Sequence, residues 1–393
     1  MAKKCIIVIL LFALLVSNSI QVYSSETDVI SNVEISYLNI ATIQTDVMQF
    51  ITGTAQNSEE CPWDGNTVVS EIIPMTDFDG NTNAYIFNLT TIGQPTGYIF
   101  YDANSDSPGV QEYGYEGQYY LSNMEQFKSR EADDQIIYAG GRSFLLQKGT
   151  QFYDMNSNER ILLTKQSMNH AYKQNIAKAR EVKAQQLEHQ ATQANAQTRA
   201  VTVSYPSAWT ILNLWIPDDW DPVDMADYAK YGGSGNCART SALNYTKYYL
   251  ERRGINIMVV NNLVTTYQYI SRYVPLGPST VNLYYGFINY CNSINKPAVG
   301  RDYVSYGSTY FNYEWFQRNL YNNHMLIMGV TTASYTYGSE EGDHALNAVG
   351  YEYNASNHTD YIRVADQWDN SVSHFYRFNG GVNIYGAFYL RWQ

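Results

Sequence analysis

Tyr231-Gly232-Gly233-Ser234-Gly235-Asn236-Cys237-Ala238-Arg239-Thr240-Ser241-Ala242-Leu243-Asn244 is the stretch on which the fold turns. A glycine-rich turn runs straight into a helical pattern, which predicts a helix over Asn236–Arg253 with Cys237 in its first turn and Asn236 or Ser234 as cap. The N–H groups of a first turn have no acceptor within the helix and favour an anion. A thiolate is such an anion, so a cysteine placed there can be a nucleophile at neutral pH, above all beside an imidazolium. The competing reading is a packed core thiol, since cysteine is among the most buried residue types. A phosphate cradle is excluded because the glycines are not followed by Lys and Ser or Thr.

Downstream of this helix, periodicity predicts helices over Asn261–Tyr273, Thr280–Ser293 and Tyr313–Tyr321. Strands are expected at Met325–Thr331, Ala345–Tyr353, Tyr361–Ala365, Val372–Phe378 and Ala387–Trp392. Helices first and strands afterwards make an α+β domain. Two further motifs lie among these strands. In Gly342-Asp343-His344-Ala345-Leu346-Asn347-Ala348-Val349-Gly350-Tyr351, His344 opens an apolar strand after a polar turn, unlike the other five histidines. In Tyr361-Ile362-Arg363-Val364-Ala365-Asp366-Gln367-Trp368-Asp369, an acidic residue ends a short apolar strand beside a tryptophan that can shield it from water. That arrangement suits holding an imidazole in one tautomer. Asp369 and Asn370 are fallbacks for this orienting role, and Asp343 reads as a solvated turn residue.

Upstream, residues 165–197 are rich in Ala, Gln, Lys and Glu, and no Gly or Pro occurs between Gly149 and Pro206. A sparse stripe of Met168, Tyr172, Ile176, Ala179 and Val182 predicts a long helix that connects rather than forms core. From Ser25 to about Tyr153 the pattern is short strands and turns, with Asn83–Leu89 and Gly97–Tyr101 as neighbouring antiparallel strands. The N-terminus carries Lys3 and Lys4, an apolar run from Cys5 to Val16 and a polar end at Ser24, the order of a secretory signal. The run is too short for a permanent membrane span. The expected organisation is a signal over 1–24, a strand-rich domain over 25–160, a helical connecting segment with a processing site over 161–200, and a catalytic domain over 201–393. Charge divides the chain at the same place, since residues 25–200 carry 11 basic and 22 acidic side chains and residues 201–393 carry 12 and 15. The net charge of −12 offers no broad attraction for nucleic acid. Loss of Cys5 with the signal leaves Cys61, Cys237 and Cys291, an odd count without a disulfide framework. Cys291 reads as an inert packed thiol.

These motifs, in this order, resemble the papain-like cysteine peptidases, whose nucleophilic Cys opens a helix, whose His begins a strand, and whose Asn or Asp precedes a Trp by two residues. Gly342–Tyr351 is similar to the family's Gly-His-Ala strand, and Asp366 and Trp368 stand where the family has Asn and Trp. Within it, the secreted bacterial streptopain-like group is nearest. The Cys-Ala-x-Thr-Ser-Ala…Lys-Tyr-Tyr run of the first helix and the propeptide-like segment 83–115 carry that likeness. The resemblance implies a secreted, extracellular endopeptidase with catalytic Cys237, His344 and Asp366, Trp368 shielding them, and no cofactor or metal. It also implies that the first half is a propeptide acting as intramolecular inhibitor, that activation comes from cleavage near Thr198-Arg199-Ala200, and that proteins or peptides are the substrate.

One departure bears on chemistry. The family places a glutamine six or seven residues before the nucleophile to complete the oxyanion hole with the cysteine's own N–H, yet residues 201–236 contain no Gln. Tyr231, Ser234 and Asn236 are the candidate replacements beside Cys237, and one such donor is worth about 10²–10³ in rate. Two alternatives therefore stand beside the peptidase. One is a secreted binding, adhesin or toxin-like module on the same scaffold. The other is a different thiol acyl-transfer enzyme, such as a cell-wall amidase or transglutaminase. The acidic run Asp218–Asp227 lacks the ligand spacing of a calcium loop and reads as a solvated face.

Overall fold

The computed structural model describes residues 35–58, 60–104, 108–140, 143–155, 160–174, 176–177, 180, 212–213, 220–232, 235–277, 279–305, 311–331, 344–354, 359–378 and 383–392. The expected signal, the processing region near Thr198–Ala200, Ser234 and Asp343 lie outside these residues. Among them, no helix is long and apolar enough to cross a membrane. The chain is a mixed α+β structure built on one large sheet.

The N-terminal half opens with α1 (Ile40–Asn57), capped by Asn39, whose side chain accepts from Thr42 N at 3.0 Å. The residue pattern predicts only strands and turns here. Thr, Ile and Val are poor helix formers, but Ile43, Val47, Phe50, Ile51 and Thr54 recur at helical spacing and are buried, so packing overrides propensity. The strands β1 (Thr67–Thr76), β2 (Thr82–Thr91), β3 (Gln94–Asp102) and β4 (Gly109–Gly114) then form an antiparallel meander. The β2–β3 turn needs positive φ at Ile92 and Gly93, the requirement of a tight hairpin. Next come β5 (Gln135–Tyr138), β6 (Phe144–Lys148), β7 (Gln151–Asp154) and β8 (Arg160–Ile161), with β5 running parallel to β1. A helical run over residues 165–174 follows. Its Met168 and Tyr172 are buried against Phe78, Ile137 and Phe152, so this part of the expected connecting helix is core and not spacer.

In the second half a short β9 (Leu212–Asn213) precedes α2 (Met225–Gly232), α3 (Cys237–Arg253), α4 (Leu263–Ile270) and α5 (Thr280–Ser293). Then come β10 (Gly300–Ser305), α6 (Tyr313–Tyr321), β11 (Leu326–Thr331), β12 (His344–Asn354), β13 (Thr359–Ala365), β14 (His374–Arg377) and β15 (Asn383–Arg391). Each expected helix and strand is present within a few residues. The strand β10, which the sequence reading passed over, pairs with β15 at the sheet edge. The central helix α3 carries many polar residues yet is buried on most sides. It is tolerated because those groups are bonded: Asn244 accepts from Val223 N at 2.6 Å, and the Tyr245 and Tyr249 hydroxyls donate to Leu390 O at 2.6 and 2.8 Å.

The two halves share their sheet. Strand β14 pairs antiparallel with β4, matching His374 to Gly114, Phe375 to Tyr113 and Tyr376 to Glu112, so the strand order runs β10-β15-β11-β12-β13-β14-β4-β3-β2-β1-β5-β6-β7-β8. Tyr361 and Phe375 of the second half lie in the same apolar cluster as Phe50, Trp63, Tyr113 and Tyr115 of the first, and the Tyr113 and Phe375 rings stack at 4.7 Å. A buried Arg363 adds an ion pair to Glu60 at 3.0 Å. Edge pairing satisfies the backbone groups that either sheet alone would leave open.

Candidate active site

Gly235, at φ +75°, makes the left-handed turn that delivers Asn236 and Cys237 to the start of α3. Cys237 is therefore the first helical residue, and it is 3% exposed. Ser241 lies one turn further along the same face. His344 opens β12 and is 2% exposed. Helix and strand are tied by Asn347 Nδ2, which donates to Ser241 O at 3.1 Å, and by Gln367 Nε2, which donates both to Ser241 Oγ and to Ala345 O, the latter at 2.9 Å. These bonds bring the first turns of α3 beside the first residues of β12.

The His344 ring is held from two sides. Its Nε2 lies 2.8 Å from the main-chain oxygen of Asp366, and its face stacks on the Trp368 indole at a centroid distance of 4.9 Å. A carbonyl oxygen only accepts, so Nε2 carries the hydrogen and Nδ1 is the basic nitrogen of the neutral ring. Asp366 is the residue expected to orient this ring, and its main-chain oxygen is the atom brought to it. The ring is oriented by its carbonyl, while its carboxylate accepts from Trp368 N at 3.1 Å and from the Tyr376 hydroxyl at 2.7 Å. The turn continues through Gln367 at φ +70°. Trp368, which stacks on His344, also packs against the aromatic cluster of Tyr98, Phe100 and Tyr119 in the N-terminal half.

The fallback residues have other duties. Asp369 accepts from His374 Nε2 at 3.0 Å, and Asn370 is exposed. Of the oxyanion candidates, Asn236 spends its amide on Met225 O at 3.1 Å, and Tyr231 is 37% exposed on α2 beside Tyr228. What remains at Cys237 is the set of main-chain N–H groups that every helix start presents. Cys291 is buried and its thiol is pushed well above the ordinary range by burial, as an inert packed cysteine requires. Cys61 is pushed up to about 12, also by burial. The three described cysteines form no disulfide.

Behind the site is a network that the sequence did not reveal. Buried Glu112, Asp366 and His374 offer atoms within 4.8 Å of one another. The Tyr98 hydroxyl donates to Glu112 Oε1 at 2.6 Å and lies 2.7 Å from His374 Nδ1, while His374 Nε2 faces Asp369. Burial alone would lower the His374 pKa, but Asp366, Asp369 and Glu112 outweigh it and raise it to about 10. Both ring nitrogens are engaged, Nδ1 at the Tyr98 hydroxyl and Nε2 at the Asp369 carboxylate. Nothing in residue spacing could announce it, because Glu112 and Tyr98 stand more than 250 residues before His374.

The comparisons with known proteins leave this geometry to speak alone: no protein-family model matches the chain, and the search of curated proteins finds no match either.

Proposed function

We propose that this chain is a secreted cysteine endopeptidase on a papain-like scaffold, made as a zymogen whose N-terminal half restrains the catalytic half. The observation that carries the reading is the environment of His344. An imidazole at the mouth of a strand has Nε2 bonded to a carbonyl and one face under a tryptophan, which leaves Nδ1 as its basic nitrogen, and that strand is tied to the helix that begins with Cys237. In this reading His344 Nδ1 takes the Cys237 proton and the thiolate adds to the scissile carbonyl. His344-H⁺ then protonates the leaving amine as the C–N bond breaks. Water, deprotonated by the same imidazole, hydrolyses the acyl-enzyme and restores the thiol. The docked first half, which touches Trp368 and the His374 network, is what a built-in restraint requires.

The test is hydrolysis of unfolded casein under reducing conditions by the full chain, before and after nicking within residues 161–200. Turnover is expected to rise on nicking and to fall about 10³-fold or more in Cys237→Ala. Equal, negligible rates in both proteins would overturn the reading. A binding module on the same scaffold is the second reading. It is favoured by the absence of Gln from residues 201–236 and by the commitment of the Asn236 amide to Met225.

A further inference from the structure

Gln367 is fully buried between Asp366 and Trp368, and it holds φ +70°, a region that glycine or asparagine enters more easily. A non-glycine residue kept in that region costs on the order of 1 kcal/mol, so something about the side chain offsets the strain. Its contacts say what. The Nε2 group donates to Ser241 Oγ, one turn beyond Cys237, and to Ala345 O, the residue after His344. Its main-chain oxygen accepts from Met225 N at 3.1 Å, and the Met225 oxygen in turn accepts from Asn236, the residue before Cys237. The preceding carbonyl, that of Asp366, holds the His344 ring. One residue thus touches the segment before the nucleophile, the helix of the nucleophile, the strand of the imidazole and the loop that orients it.

We propose that Gln367 is a positioning residue that fixes Cys237 and His344 in register. A glycine here would relieve the backbone and lose the carboxamide that spans helix and strand. Both Nε2 hydrogens are engaged, so the group acts through geometry and does not donate to an oxyanion. Ser241 is its counterpart on α3. The inference rests on the proposed Cys237–His344 pair, and its test separates the two.

The experiment is an NMR titration of the His344 ring in the uncleaved full chain, with and without Cys237→Ala, in the parent and in Gln367→Met. Met keeps the volume and removes both donors. In the parent, removing the thiol is expected to lower the His344 pKa by about one unit or more, because a thiolate partner favours the imidazolium. In the Gln367→Met background the same removal should shift it by less than about 0.3 unit, since a pair out of register is uncoupled. Equal coupling in both backgrounds overturns the positioning role while leaving the pair intact. No coupling in the parent overturns the pair, and the positioning role with it. Should Gln367→Met fail to fold, Ser241→Ala removes one of the two contacts at little volume cost, and it should reduce the coupling measurably. Coupling unchanged in Ser241→Ala would count against the role in that case.

Discussion

At the scale of single residues, the site separates what a motif shows from what a turn decides. Cys237 and His344 were legible because each opens an element after a local signal, a glycine turn in one case and a polar-to-apolar switch in the other. Asp366 was legible as a position but not as an atom: that its main-chain oxygen meets the ring is a matter of local backbone geometry, which no spacing encodes. Gln367 itself was passed over because its partners, Ser241 and Ala345, are 126 and 22 residues away. The carbonyl contact has a consequence for mutation. In a triad whose aspartate carboxylate holds the imidazole, Asp→Asn costs about 10⁴ in kcat because the tautomer is wrong. Here the carbonyl survives the substitution, so Asp366→Asn is expected to cost the nicked chain less than about tenfold in casein turnover, read beside Cys237→Ala. A loss near 10⁴ would return the role to the carboxylate.

At the scale of elements, the α+β succession of the second half was readable because its strands are apolar runs and its helices periodic. The N-terminal half misled where propensity and packing disagree, as in α1, and where a polar helix buries two large side chains, as at Met168 and Tyr172. The seam between β4 and β14 was not readable at all, since two edge strands pair through backbone groups that every residue carries. Its side chains still constrain it closely. Gly114 lies on β4 under the Tyr98 ring, and a Cβ there would come within 2.6 Å of Tyr98 Cε1 and 3.0 Å of its Cζ. That ring is 1% exposed and wedged between Tyr119 and His374, so it has no room to yield. Gly114→Ala is expected to destabilise the chain by about 1–3 kcal/mol and lower Tm by several degrees. Gly65→Ala, whose Cβ would meet nothing within 4 Å at an ordinary φ, should leave Tm unchanged in the same scan.

At the scale of the molecule, the join between the halves gathers buried titratable groups whose shifts run in one direction. Glu352 of β12 is raised to about 7, chiefly by burial, beneath Tyr113 and Tyr115 of the first half and near Arg363 and Glu60. His374 is raised to about 10 despite burial, with Asp366 and Asp369 on its own side and Glu112 and Tyr98 across the seam. A pKa raised on folding means that the folded state binds the proton more tightly, so its stabilisation is complete below the unfolded value and lost as pH rises through the folded one. For Glu352 that window runs from about 4.5 to about 7, and for His374 from about 6.5 to about 10. The intact chain should therefore unfold at progressively lower temperature from pH 5 to pH 10, each group contributing on the order of a few kcal/mol. Thermal melts across that range check the slope, and variants assign it. Glu352→Gln should reduce the slope below about pH 7, which the raised Asp102, Asp224 and Asp360 also feed, and leave the alkaline portion, whereas His374→Gln should reduce the alkaline slope. Because the seam is where the two halves meet, the same titrations should loosen the first half from the second. The segment around residues 161–200 should be nicked faster by an added protease at pH 9 than at pH 6 once the protease's own pH dependence is removed with an unfolded reference substrate. A pH-independent nicking ratio, with the melts sloping as expected, would place the proton linkage in the fold as a whole and not in the grip of one half on the other.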